Sequence, residues 1–200
     1  DFIREEAEKD YQMVSGLTGD VEPGDKIKEL LRARFPWLII GMLGGIICSL
    51  VLSSHEQSLS RVTELAFFIP LIAAMAGNVG VQSSAIVVQS IASGVKELES
   101  ISQRLIKEVS VALITALFFS MLIFAYVFFS RGNMNLTYTV SITLFIVIIF
   151  ASFFGTVIPL ILHKMKIDPA LATGPFITTM NDILGLFIYL MIGNLFFGIL

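Results

Sequence analysis

The chain has 200 residues, of which 56% are hydrophobic and 14% charged, with a formal net charge of −3. Soluble domains carry about 25% charged residues, so a mean hydropathy of +0.86 excludes an ordinary soluble fold. It points to one compact membrane domain with a short polar arm. The single cysteine, Cys48, lies inside an apolar run and excludes an intrachain disulfide.

Residues 1–15 read as an acidic soluble helix, with Ile3, Ala7, Tyr11 and Val14 at helical spacing among Glu5, Glu6, Glu8 and Asp10. Gly16, Gly19, Pro23 and Gly24 end it, so residues 1–24 form the end of a connecting helix and a linker. Asp1 is preceded by no methionine, and no signal-peptide pattern follows it. A piece of a longer protein is expected. Residues 25–35 read as a short amphipathic helix: Ile27, Leu30, Leu31 and Phe35 share a face, and Lys26, Lys28, Arg32 and Arg34 carry charge. That pattern suits a helix lying at the membrane interface; a solvated linker is the alternative.

Residues 36–200 hold five long apolar runs. Pro36 to Ser54 is uncharged and opens with the interfacial anchor Trp37. Leu65 to Val95, Val109 to Ser130 and Gly132 to Leu162 follow, each without a charge, and Pro169 to Leu200 contains Asp182 alone. A span needs about 20 apolar residues, so spans are expected near 36–54, 65–93, 107–130, 136–163 and 170–198. The fold class is therefore an all-α integral membrane protein of five transmembrane helices, preceded by the acidic and interfacial helices.

Basic residues orient the set. Arg4, Lys9, Lys26, Lys28, Arg32 and Arg34 precede span one, Lys96, Arg104 and Lys107 follow span two, and Lys164 and Lys166 follow span four. The alternate loops carry Arg61 and Arg131. A multi-pass protein of the cell (inner or plasma) membrane with a cytoplasmic N-terminus and an external C-terminus is expected.

Asp182 is the informative residue. A carboxylate at the centre of a span costs about 2.5–3.5 kcal/mol on insertion scales and usually faces a bundle interior or a water-filled path. No Lys, Arg or His lies within the runs to pair with it. Protonation, with hydrogen bonds to Thr178, Thr179 or Asn78, is one solution; a cation from solution is the better one, because it supplies the missing charge.

Two stretches support a path. Span two contains MAGNVGVQSS (75–84), which places Gly77, Asn78, Gly80 and Gln82 in an apolar segment. Span five opens with DPALATGPFITTMND (168–182), where Gly174 and Pro175 are expected to loosen the helix. Carbonyls at Leu171 or Ala172 would then face a cavity beside Thr178, Thr179 and Asn181. Glycine- and proline-interrupted spans point to an ion path, although small residues also serve close helix packing. A carboxylate with neutral oxygens and no thiols selects a hard cation. This chemistry does not separate Mg²⁺ from Mn²⁺, Ca²⁺ or Na⁺. Gly41-x-x-x-Gly45 in span one is a motif of close helix approach and a supporting feature for an oligomer, although glycine is common in membrane helices.

RFPWL (34–38), FFIPLIAAMAGNVGVQSS (67–84) and DPALATGPFITTMNDILGLFIYL (168–190) closely resemble the transmembrane domain of the MgtE family of magnesium channels. The resemblance covers about residues 34–200. It implies a homodimer in the lipid bilayer, with a pore lined by spans two and five of both subunits. It implies hydrated Mg²⁺ bound near Asp182, with the family's asparagine-and-glycine stretch at Gly77, Asn78 and Gly80, and a pore-facing backbone at Thr178. It also implies a cytosolic magnesium-sensing region, absent from this chain, with Glu6 and Asp10 as sensor-side ligands. Ala76, Val81 and Gly174 depart from residues common in the family, and Lys9 stands where an acid is expected.

Other classes fit less well. A secondary transporter coupling divalent cations to H⁺ or Na⁺ would also use interrupted spans and a membrane carboxylate. An intramembrane aspartyl protease needs two carboxylates in reach, and His55 and His163 lie at loops, so an enzyme is not expected. Nothing suggests nucleic-acid binding, since the basic residues flank spans.

Overall fold

A computed structural model of the chain describes residues 12, 17, 21, 22, 24–92, 101–169 and 174–198. Its bounded helices are α1 (Ile27–Ser54), α2 (Glu56–Arg61), α3 (Glu64–Ala92), α4 (Ile101–Arg131), α5 (Met134–Lys164) and α6 (Pro175–Phe197). Among the described residues, five helices are long and apolar enough to cross a membrane: α1, α3, α4, α5 and α6.

The expected boundary between an interfacial helix and span one is absent. α1 runs without a break from Ile27 to Ser54, with Pro36 inside it. Proline removes one backbone hydrogen bond there. A membrane helix tolerates such a loss when neighbouring groups re-satisfy the carbonyl. At the start of α1, the Glu29 carboxylate accepts the Lys26 N–H at 2.9 Å, filling one donor of the first turn.

The α4–α5 hairpin shows how local sequence sets a tight turn. Gly132 takes φ +66°, a region open to glycine. Asn133 then caps α5 by accepting the Leu136 N–H at 3.2 Å.

α3, α5 and α6 pack mutually, α4 lies chiefly on α5, and α1 lies chiefly on α6. The core between them includes Leu65, Ile72 and Ala76 of α3, Val140, Leu144 and Val147 of α5, and Leu186, Tyr189 and Leu190 of α6. Apolar side chains gain little from one another over lipid, so close packing of small residues and interhelical hydrogen bonds carry the association. Both are present. A Cβ on Gly155 of α5 would overlap the Gly80 carbonyl oxygen of α3. Nearby, the Ser83 hydroxyl donates to the Ser152 hydroxyl at 3.0 Å. Tyr189, fully buried, donates its phenol proton to the Leu65 carbonyl at 2.9 Å. Arg104 of α4 clasps the last turns of α3, donating to the Ile86 carbonyl at 3.0 Å and to the Ser90 hydroxyl.

Gly41 and Gly45 meet nothing within 4 Å in this chain. The glycine of α1 that admits a neighbour is Gly44, whose missing Cβ makes room for Thr179 of α6. Gly41 and Gly45 therefore do not serve the packing of α1 on the other described helices.

Candidate functional site

α3 and α6 meet along a groove on the flank of the bundle. Its volume is about 300 Å³, and Ala73, Ala74, Gly77, Asn78, Val81, Gln82, Thr178 and Asp182 line it. The helical repeat explains the set. Thr178 and Asp182 are four residues apart and share one face of α6. On α3, the rows Ala73–Gly77–Val81 and Ala74–Asn78–Gln82 run side by side at the same spacing.

Gly77 forms the closest approach. A Cβ there would stand 3.0 Å from Thr178 Cγ2 and 3.5 Å from Asp182 Oδ1. The Thr178 hydroxyl donates to the Gly174 carbonyl at 3.1 Å, a carbonyl that also accepts the Thr178 N–H at 3.0 Å. Its proton is committed to the backbone, so the hydroxyl oxygen is left as an acceptor. Asn78 and Gln82 are exposed, and Asp182 is half-buried. No cluster of three or more His, Cys, Asp or Glu side chains exists among the described residues. The groove thus presents one carboxylate among amide and hydroxyl oxygens. Such a set can hold a hydrated hard cation by water-mediated contacts but not a fully stripped one.

The expected residues divide. Asp182, Thr178, Asn78, Gly77 and Gln82 come together. Gly80 is buried, and a Cβ there would overlap Asn181 and crowd Ile177. Asn181 is 3% exposed and turned into the bundle beside Ala76, Val147 and Gly185. Thr179 packs on Gly44 of α1. Three polar neighbours on α6 therefore face three different helices or grooves, because each residue advances the helix by about 100°.

Gly174 and Pro175 do not interrupt span five; they begin it. Gly174 takes φ +58° as the N-cap, and Pro175 occupies the first turn. Its missing N–H costs nothing at that position. Ala172, Leu171, Glu6 and Asp10 lie outside the described residues. Ala73, Ala74 and Val81 were not anticipated, although each stands one turn from a residue that was.

A model of the MgtE family, described as a divalent cation transporter, matches residues 69–192, the stretch that holds both walls of the groove. The chain belongs to the MgtE family. A relative from Bacillus subtilis, named magnesium transporter MgtE, is 36% identical over 98% of this chain and 44% of its own length. MgtE proteins of the same name from Thermus thermophilus and Enterococcus faecalis are 33% and 31% identical. They cover 83% and 98% of this chain and 37% and 43% of their own lengths. The chain thus spans less than half the length of these MgtE relatives.

Proposed function

We propose that this chain is the transmembrane part of a magnesium channel that passes hydrated Mg²⁺ into the cytoplasm down its electrochemical gradient. The observation that carries the reading is the groove itself: Asp182 shares one open face with Asn78, Gln82, Gly77 and Thr178. Exposed amides at the depth of a membrane span are costly against lipid. A second copy of the chain, laid across the same face, would turn them toward water instead. Two Asp182 carboxylates would then flank one dication and balance its charge. The groove oxygens of each copy would hold the ion through its waters, since Mg²⁺ sheds water reluctantly.

The relatives' names support magnesium as the cargo. Mn²⁺ and other divalent cations share the ligand chemistry and are expected to compete. The sensing region and its ligands Glu6 and Asp10 belong to the same proposal, with the N-terminus cytoplasmic. The full-length protein, reconstituted in liposomes that enclose a Mg²⁺ indicator, tests the reading. Uptake should follow the Mg²⁺ gradient and membrane potential, and should persist when H⁺ and Na⁺ gradients are collapsed. Loss of uptake on collapsing either gradient would instead establish a coupled transporter. Crosslinking in the same liposomes should give dimers.

A further inference from the structure

A second cavity, of about 600 Å³, lies between the first half of α1 and the start of α6, with Leu17 of the N-terminal arm on its wall, apart from the Asp182 groove. Arg34, Trp37 and Pro175 line it together with Leu38, Gly41 and Met42. Gly44 packs on Thr179, so one turn earlier Gly41 and Pro175 stand at the same level.

The polar groups here are donors. The indole Nε1 of Trp37, a side chain 6% exposed, has no hydrogen-bond acceptor among the described residues. The N-cap of α6 is Gly174, which has no side chain to cap the helix. The first helical acceptor there is the Gly174 carbonyl, taken by the Thr178 N–H. The N–H groups of Phe176 and Ile177 therefore lack partners within the helix, and they lie at the positive end of its dipole. Arg34 adds a full positive charge, and among the described residues no acidic side chain lines the cavity. Further along α1 the lining becomes apolar, and Leu38 and Met42 are 63% and 59% exposed. From Arg34 to Met42 the helix rises about 12 Å, enough for a headgroup and the first carbons of a chain.

We propose that this cavity binds an anionic phospholipid of the leaflet that borders the start of α1. Its phosphate meets Arg34, the Trp37 indole N–H and the first turn of α6. One acyl chain lies along Leu38 and Met42 over Gly41. A basic pocket between helices at the membrane interface fits this headgroup chemistry. Pro175 stands about 10 Å along the helix axis from Asp182, so the lipid bears on the helix that carries the cation ligand. The site depends on the membrane reading of α1 and not on the identity of the transported ion.

Native mass spectrometry of the full-length protein in detergent tests it, with dioleoyl-phosphatidylglycerol and dioleoyl-phosphatidylcholine added in turn. Phosphatidylglycerol should be retained preferentially. Arg34→Gln should lower its retention about fivefold, and Trp37→Phe, which keeps the ring and removes the donor, should lower it as well. Arg61→Gln, at the far end of the spans, should leave it unchanged. If Arg34→Gln does not purify, Arg34→Lys serves, with reduced but measurable retention expected because the charge stays and the forked donor goes. Equal retention of the two lipids, or wild-type retention in the Arg34 variant, would overturn the proposal. Displacement of phosphatidylglycerol by millimolar inorganic phosphate would overturn it too, by showing a site for soluble anions.

Discussion

Gly77 and Asp182 face each other across the α3–α6 groove so closely that a methyl group on Gly77 would stand 3.5 Å from Asp182 Oδ1. It would also stand 3.0 Å from Thr178 Cγ2. Gly77→Ala is therefore a graded test of the groove. Alanine gains about 1 kcal/mol of helix propensity over glycine, which offsets part of the crowding cost of about 1–3 kcal/mol. Thermal stability in detergent should change little. Mg²⁺ flux through reconstituted protein should fall, because the methyl group fills space that the ion's waters need. Unchanged flux at unchanged stability would show that the groove is not the path.

Solvent access separates the polar neighbours of the two helices. In a Cys48→Ser background, cysteine at Asn78 or Gln82 should react with a membrane-impermeant thiol reagent, and Mg²⁺ should slow the reaction. Cysteine at Asn181, which is 3% exposed in the bundle, should react far more slowly. Cysteine at Leu117, 57% exposed on α4 away from the groove, should be inert because it meets lipid. Reaction at Leu117 as fast as at Gln82 would remove the case for a water path along α3.

Much of this was legible in the residues. Uncharged runs bounded by charge mark the five spans, because bilayer thickness sets their length. Asp182 stands out because an unpaired carboxylate is costly in a membrane. What stayed hidden depends on helix phase and on partners distant in sequence. Thr178, Thr179 and Asn181 look alike in the chain, and only the packing of α1 on Thr179 and of Gly80 on Asn181 assigns each its direction. Pro175 reads equally as an interruption or as a first-turn residue. The positive φ of Gly174 decides between them, and no residue spacing encodes it. Gly44, not the Gly41–Gly45 pair, receives a neighbour because α6 crosses α1 at that level.

Gly155→Ala should damage the fold itself. The added Cβ would run into the Gly80 carbonyl, which is backbone and cannot swing aside like a side chain. The Ser83–Ser152 hydrogen bond lies beside that contact and would be strained with it. A loss of about 1–3 kcal/mol is expected, read as a lower melting temperature and a smaller monodisperse fraction. A wild-type melt would mean that α3 and α5 can separate without cost, contrary to the packing between them.

The decisive substitution is Asp182→Asn. It keeps the size and one acceptor oxygen and removes the charge. In the absence of metal the carboxylate is the costly form inside a membrane, so folding should tolerate the change or gain slightly. With metal present the balance reverses. A unit charge pair at about 4 Å attracts by about 4 kcal/mol at an effective dielectric of about 20, and a dication doubles that. Each 1.4 kcal/mol lost is about tenfold in binding, so Mg²⁺ flux should fall by more than about tenfold with expression preserved. A potential of about 100 mV would still pull Mg²⁺ inward by about 4.6 kcal/mol, but the ion would lack the group that offsets its partial dehydration. Asp182→Glu sharpens the test. The charge stays, the carboxylate advances by one methylene toward Gly77, and some flux should survive with altered selectivity between Mg²⁺ and Mn²⁺. Wild-type flux and wild-type metal affinity in Asp182→Asn would make Asp182 structural and move the search for the ion's ligand to Asn78 on the opposite wall.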